Sequence, residues 1–336
     1  MTIETAARAD DPSEAPVDIP PALRVRHRRL TERVPALYPL AVELLRLRRS
    51  WHWLRSGVCW ATDRATDDLP VRIKQHKSLL LRTLGNSEMW MQHNKVRNLE
   101  LAATRIDGIL IKPGEEFSFC RLVGRASRRK GYLDGMLLDN GEAKAGPGGG
   151  ICQLANLLHW MVLHSPLTVT ERSEHSFDPF PDNGRVLPWG VGCAVYYNYV
   201  DLRFRNDTDA TFQVRVHVGE RYLEGEIRAD RPVPYSYSVY ARNEDFIERE
   251  GDWFRRNQIW RDVIDRRTGD RVRSELIKKN CALVKYVPDG VDEPSALNPD
   301  GHAPAIPEDH PPVIPEDQSL TQRLRHADAE NPTVEL

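Results

Sequence analysis

Apolar residues recur with two different periods along this chain, and the change from one to the other divides it. Leu37, Leu40, Val42, Leu44, Leu45 and Leu47 predict a helix that Pro35 and Pro39 confine to starting near residues 36–40. Residues 71–83 read as a second helix. In 94–105, Val96, Leu99, Ala102 and Ala103 fall at helical spacing, with Gly108 as the stop. Beyond that point the period shortens. Residues 109–119 are strand-like around the Pro113-Gly114 turn, and 132–139 follow suit. A helix is predicted at 151–164, between a Gly-rich loop and Ser165-Pro166. Strands are predicted at 167–174, 193–205, 211–218 and 221–228, the last two joined at Gly219-Glu220. Alternating Tyr, Val, Ile, Trp and Arg continue through 235–286, with a turn at Thr268-Gly269-Asp270. The expected class is α+β: N-terminal helices, a mainly antiparallel sheet packed with the 151–164 helix, and a β-rich C-terminal extension.

Composition changes this picture mostly at the two ends. Residues 1–20 are polar and aperiodic and read as disordered. Residues 287–336 carry 11 acidic and 2 basic side chains, hold nine of the 24 prolines, and repeat Ile-Pro-Glu-Asp at 306–309 and 314–317. They read as a disordered acidic tail. Between these ends, 21–105 is expected to be a helical region, 106–230 an α+β core and 231–286 the β-rich extension. The whole chain has 336 residues and a net charge of −2, so removing the tail leaves a mildly basic body. That is well short of a nucleic-acid footprint, and no nucleic-acid partner is expected. No apolar run approaches 18 residues, which argues against a transmembrane helix. The first 20 residues lack the apolar centre of a signal peptide. Five scattered cysteines, at 59, 120, 152, 193 and 281, argue against a disulfide scaffold and for a reducing, cytoplasmic compartment.

Residues 23–55 complicate the location. They hold nine arginines against Glu32 and Glu43. An amphipathic helix of this composition has two readings: a peripheral membrane contact, or a helix docked on the body of the protein.

The densest chemical signal is Gly146-Pro147-Gly148-Gly149-Gly150-Ile151-Cys152-Gln153, followed at once by an apolar helix. Glycines let backbone approach backbone or substrate where a Cβ would clash. They deliver Cys152 to the first turn of a helix, where unpaired N–H groups and the dipole favour the thiolate. The same N–H groups, with the Gln153 amide and the 148–150 backbone, form a candidate oxyanion hole. The opposing reading is a small buried cysteine beside a tight turn. The loop lacks the Lys and Ser/Thr of a phosphate-binding loop.

A nucleophilic cysteine needs a base. The 152–164 helix is about 20 Å long at 1.5 Å per residue. A strand returning antiparallel at about 3.3 Å per residue regains the level of Cys152 near Arg172. His175 then falls just past it, whereas His159 lies about 10 Å up the helix and His164 farther still. His175 is therefore the candidate base, against the alternative of a surface histidine at a strand end. Strand alternation places Asp201 with Arg203 and Arg205, opposite Val200, Leu202 and Phe204. Asp201 is thus either an orienting acid or an ion-paired strand residue. Arg172 is a candidate receiver for a substrate carboxylate. Cys120, Cys152, Cys193 and His175 lack metal-site spacing, so no metal is expected.

Ile111-Lys112-Pro113-Gly114-Glu115-Glu116-Phe117-Ser118-Phe119, the Gly-Gly-Gly-x-Cys-Gln segment ending at Gln153, Glu171-Arg172 with His175, and Asp201-Leu202-x-Phe204-x-Asn206-Asp207-Thr208 together resemble the VanW family. So do Arg29-Leu30-Thr31-Glu32-Arg33-x-Pro35, Asn94-Lys95-Val96-x-Asn98-Leu99 and Asn156-Leu157-Leu158-x-Trp160. The resemblance covers roughly residues 28–286. It implies a bacterial protein linked to vancomycin resistance and to cell-wall or glycopeptide-related chemistry. Family sequences often carry Asp-Ala where Gly192-Cys193 stand here, which leaves Asp201 as the matching acid.

Two functions follow as expectations. One is a thiol-dependent hydrolase or acyl/amide transferase on a peptide-like substrate, with Cys152 as nucleophile, His175 as base and Asp201 as orienting acid. The other is a non-catalytic binding or accessory module for a small-molecule or peptide-like ligand. Neither calls for a cofactor.

Overall fold

The computed structural model describes residues 38–81, 89–139, 142–173, 177–178, 186–249, 251–284 and 286. The expectations for 1–20 and 287–336 lie outside the described residues. In chain order the elements are α1 (Tyr38–Arg55), β1 (Val71–Leu79), α2 (Met89–Ala103), β2 (Ile109–Ile111), β3 (Glu116–Ser118), α3 (Phe119–Val123), β4 (Asp134–Asp139) and β5 (Glu142–Pro147). Then follow α4 (Cys152–Leu163), β6 (Thr168–Glu171), β7 (Phe177–Asp178), β8 (Arg203–Arg205), β9 (Phe212–Val218), β10 (Tyr222–Ala229), β11 (Tyr235–Arg249), β12 (Asp252–Asp265) and β13 (Arg271–Val284). The fold is α+β with a mainly antiparallel strand content.

The order β1-β10-β9-β2 forms one antiparallel sheet. Leu223, Ile227 and Ala229 of β10 and Phe212, Val214 and Val216 of β9 alternate into the core, all nearly or fully buried. A second sheet runs β11-β12-β13, antiparallel, with β7 added parallel to β13. A small sheet, β3-β8-β6, stacks Phe117 on Phe204 at 4.3 Å.

Helix α4 is mostly apolar and is buried at every position from Leu154 to Leu163 but Asn156, so it is covered on almost every side. Leu157 and Met161 press on β10 at Gly225, where an added Cβ would lie 2.8 Å from Leu157 Cδ2 and 2.7 Å from Met161 Cε. Trp160 and Leu163 instead join Val191 and Ile259 of the second sheet's cluster. The first residue of α4, Cys152, is thereby fixed at the end of a fully packed rod.

Two local expectations need correction. Residues 71–79 form strand β1, not a helix; a bulge between Arg72 and Lys74 breaks the alternation that marks a strand. Of 193–205, only 203–205 is strand within that span. The chain before it turns at Tyr196–Val200, with Asn198 at φ 55°. Helix α1 packs on the body through Trp53 and a set of polar groups: Arg49 pairs with Glu171, and Asn198 Nδ2 donates to Arg46 O at 2.8 Å and Ser50 Oγ at 2.7 Å.

Candidate functional site

The Gly-rich loop leaves β5 and passes between β4 and α2. Gly148 and Gly150 have φ of 80° and 88°, a backbone that L side chains rarely adopt. Gly149 crosses Gly135 so closely that a Cβ on Gly149 would lie 2.0 Å from Gly135 C. Asn98 staples the crossing, its Nδ2 donating to Leu133 O at 3.0 Å and Gly149 O at 2.9 Å. All three glycines are thus accounted for by close packing.

Cys152 begins α4, as its position after the loop predicts. The first turn is closed by the chain itself: Gln153 N donates to Gly150 O at 3.1 Å and Leu154 N to Ile151 O at 3.0 Å. The Gln153 side chain turns to β1, donating to Ser78 Oγ at 2.9 Å and Leu79 O at 2.8 Å. Cys152 Sγ faces Val195 O at 3.8 Å. The residue keeps some surface, yet its sulfur is set deep, and burial pushes the thiol above its ordinary value.

His175, the expected base, lies outside the described residues. Of the nearby histidines, His159 donates from Nδ1 to Val191 O at 2.8 Å, since a carbonyl only accepts. Burial, with the Arg172 charge adding, pushes His159 down to about 3, so it is neutral. His164 bonds Trp160 O at 2.9 Å and is pushed down to about 4, again first by burial.

Asp201 is fully buried and is engaged elsewhere. Its carboxylate accepts Ser118 Oγ–H at 2.6 Å and the Cys120 N–H at 2.8 Å, and so caps the start of α3. Ser118 Oγ in turn accepts Arg121 N–H at 3.2 Å. Burial pushes the Asp201 carboxyl up, against the pull of the Ser118 and Cys120 hydrogen bonds. The thiol beside it is that of Cys120, which donates to Val200 O at 3.5 Å. Burial, then the Asp201 charge, holds that thiol well above its ordinary value. Burial likewise pushes Cys193 up to about 12.

Arg172 donates from Nε to Gly192 O at 2.9 Å and from its terminal nitrogen to Gly192 O at 2.6 Å, and also to Gly190 O. It holds the 190–192 loop against α4, where Asn156 Oδ1 accepts Cys193 N–H at 2.5 Å. Arg203 sits between Glu116 at 2.7 Å and Glu171 at 3.4 Å. Among the described residues, no three His, Cys, Asp or Glu side chains converge as a metal set.

A surface groove of about 370 Å³ flanks the Gly-rich crossing, lined by Trp90, Asn94, Arg128, Gly131, Tyr132, Leu133 and Asp134. Asn94 Nδ2 donates to Asp134 O at 2.8 Å, and Arg128 pairs with Asp134 Oδ2 at 2.6 Å. The other carboxylate oxygen, Oδ1, is buried and has no hydrogen-bond partner among the described residues. Sequence reasoning singled out Asn94 and Asn98 by motif but not this groove. Its walls come from α2 and from the chain leading into β4, which no local periodicity links.

A family model described as VanW like protein matches residues 94–228, which span the Asn94–Asn98 stretch, the glycine loop, Cys152 and Asp201. The vancomycin B-type resistance protein VanW of Enterococcus faecalis is 32% identical over 269 residues, covering 80% of this chain and 98% of that protein. The uncharacterized protein YoaR of Bacillus subtilis is 34% identical over 125 residues, covering 36% of this chain and 39% of that one. No solved structure matches. With nearly the whole length of the enterococcal protein matched, and the loop, α4 and the Asp201 cap inside the matched span, the chain belongs to the VanW family.

Proposed function

We propose that this VanW-family protein acts by binding a cell-wall peptide or a related ligand in the groove beside the Gly-rich loop, without covalent catalysis. One observation carries the reading. The groups that a thiol enzyme would draw on are engaged in holding the fold. Asp201 caps α3, Gln153 is bonded to β1, Arg172 grips the 190–192 loop, and burial favours the neutral Cys152 thiol. The groove has what recognition needs. It offers an indole at Trp90 and, at its rim, the Arg128–Asp134 ion pair, whose guanidinium and carboxylate face a ligand's carboxylate and N–H groups in turn. A peptide with free amide or ammonium hydrogens and a carboxylate matches that set. The relative's link to vancomycin resistance makes a cell-wall peptide the natural class.

The test is calorimetric titration with a soluble peptidoglycan peptide, and separately with vancomycin. The peptide is expected to bind, with a loss of roughly tenfold or more in Asp134→Asn, as for one charge-assisted hydrogen bond. Cys152→Ser is expected to bind as the wild type does. Peptide turnover by the wild type, lost in Cys152→Ser, would replace this reading with the thiol-enzyme one, which the position of Cys152 at the start of α4 favours. Binding of vancomycin alone would transfer the site to the antibiotic.

A further inference from the structure

Helix α1 is fastened to the body by one face and leaves the other uncovered. Its inner face holds Arg46, Arg49, Ser50 and Trp53. Arg46 Nε donates to Tyr197 O at 3.4 Å, Arg49 pairs with Glu171, and Trp53 is buried with its ring 6.0 Å from that of Trp60. The outer face carries Leu40, Leu44, Leu47, Trp51 and Leu54, spaced 4, 3, 4 and 3 residues apart. Their exposure runs from 57% for Leu44 and Trp51 to 82% for Leu54. This spacing keeps the five side chains in one stripe along about 21 Å of helix.

An apolar stripe of that size in water needs an occupant. Its charge surroundings indicate which. Arg48, His52 and Arg55 are exposed around the stripe, and the Arg55 guanidinium lies 3.9 Å over the Trp51 ring. The one acid of the helix, Glu43, is spent on Arg46 at 2.5 Å and Arg125 at 3.3 Å. In sequence, residues 23–37 add Arg24, Arg26, Arg28, Arg29 and Arg33 against Glu32 alone. A second copy packed stripe to stripe would set these cations against one another, with no free acid at the flanking positions that stabilise paired helices. An anionic surface gains from every one of them. No described helix is long and apolar enough to cross a membrane, and the apolar stripe of α1 lies along one face, which suits a helix lying in the surface.

We propose that α1 is a peripheral membrane-contact element. Leu40, Leu44, Leu47, Trp51 and Leu54 enter the headgroup–acyl boundary of an anionic bilayer, while Arg48 and Arg55 meet the lipid phosphates. The inward Arg49–Glu171 pair holds the rest of the protein against that surface. The indole of Trp51 suits this depth, since it is apolar in body and polar at one edge.

The experiment is vesicle flotation of the full chain. It uses phosphatidylcholine vesicles with and without phosphatidylglycerol, at low salt and at about 0.5 M salt, where charges are screened beyond roughly 4 Å. The protein is expected to float with the anionic vesicles and to bind severalfold less at high salt. Leu44→Glu with Leu47→Glu is expected to lower binding at least about tenfold. Arg48→Glu with Arg55→Glu keeps the stripe intact. It is expected to abolish the preference for phosphatidylglycerol, so the proposal stays testable if the first variant folds poorly. Failure of the wild type to float, equal binding to neutral vesicles, or undiminished binding by either variant would overturn it. So would a wild-type dimer in light scattering that Leu47→Glu dissociates, because the stripe would then belong to a second copy.

Discussion

The Asp201 carboxylate accepts the Cys120 backbone N–H at 2.8 Å, and with it the start of α3 is tied to the chain entering β8. A carboxylate with this engagement holds backbone in place, because it meets a donor that would otherwise be buried without a partner.

Asp201→Asn is therefore expected to destabilise the fold. The amide keeps the shape but must turn its NH2 towards either the Cys120 N–H or the Ser118 hydroxyl. A loss of about 1–3 kcal/mol is expected in urea unfolding, with ligand binding at saturation unchanged. Unchanged stability would mean that the cap contributes nothing.

Stability is expected to fall as pH drops below the ordinary histidine range. His159 and His164 are pushed down to about 3 and about 4, each first by burial. Between those values and about 6.5 the unfolded chain binds protons that the folded chain does not, so stability rises with pH there and is lost on acidification. Each histidine contributes a slope of up to about 1.4 kcal/mol per pH unit. His159→Asn, whose amide can keep the bond to Val191 O, is expected to flatten the slope measured by urea unfolding between about pH 5 and 7. A slope the variant leaves unaltered would contradict a neutral, buried His159.

Gly149→Ala is expected to cost more than about 3 kcal/mol or to prevent folding, because its Cβ would fall 2.0 Å from Gly135 C, a backbone atom that cannot move aside. Thermal melting checks this. A mild effect would mean that the loop is free enough to serve a substrate rather than to pack.

Much of the fold could be read from the chain because its periods are clean where the core is. Leu223, Ile227 and Ala229 alternate in β10, the Gly219-Glu220 turn joins β9 to it, and the mostly apolar α4 ends before Ser165-Pro166. Strand β1 was hidden by its bulge at Arg72–Lys74, which shifts the alternation midway. The stretch before β8 was hidden for another reason. Asn198 takes a positive φ and its side chain serves Arg46 and Ser50, while Val200 O serves Cys120, all of them far away in sequence. The site divides the same way. Gly148–Gly150 announce that Cys152 opens a helix. Nothing local says that Asp201 answers to Ser118, 83 residues earlier, so alternation assigned it to a face with Arg203. A serine preceding Phe119-Cys120-Arg121 is a helix-cap signal, and it marks where to look for the buried acid.

The state of the Cys152 thiol decides between binding and covalent catalysis, and iodoacetamide labelling of the native protein across pH 5 to 9, read by peptide mass mapping to separate it from the exposed Cys59, measures it directly. A buried, protonated Cys152 is expected to label slowly throughout and to become reactive only when urea unfolds the chain. Rapid labelling of Cys152 below neutral pH, lost in His175→Ala, would contradict the binding account and make the thiol a nucleophile.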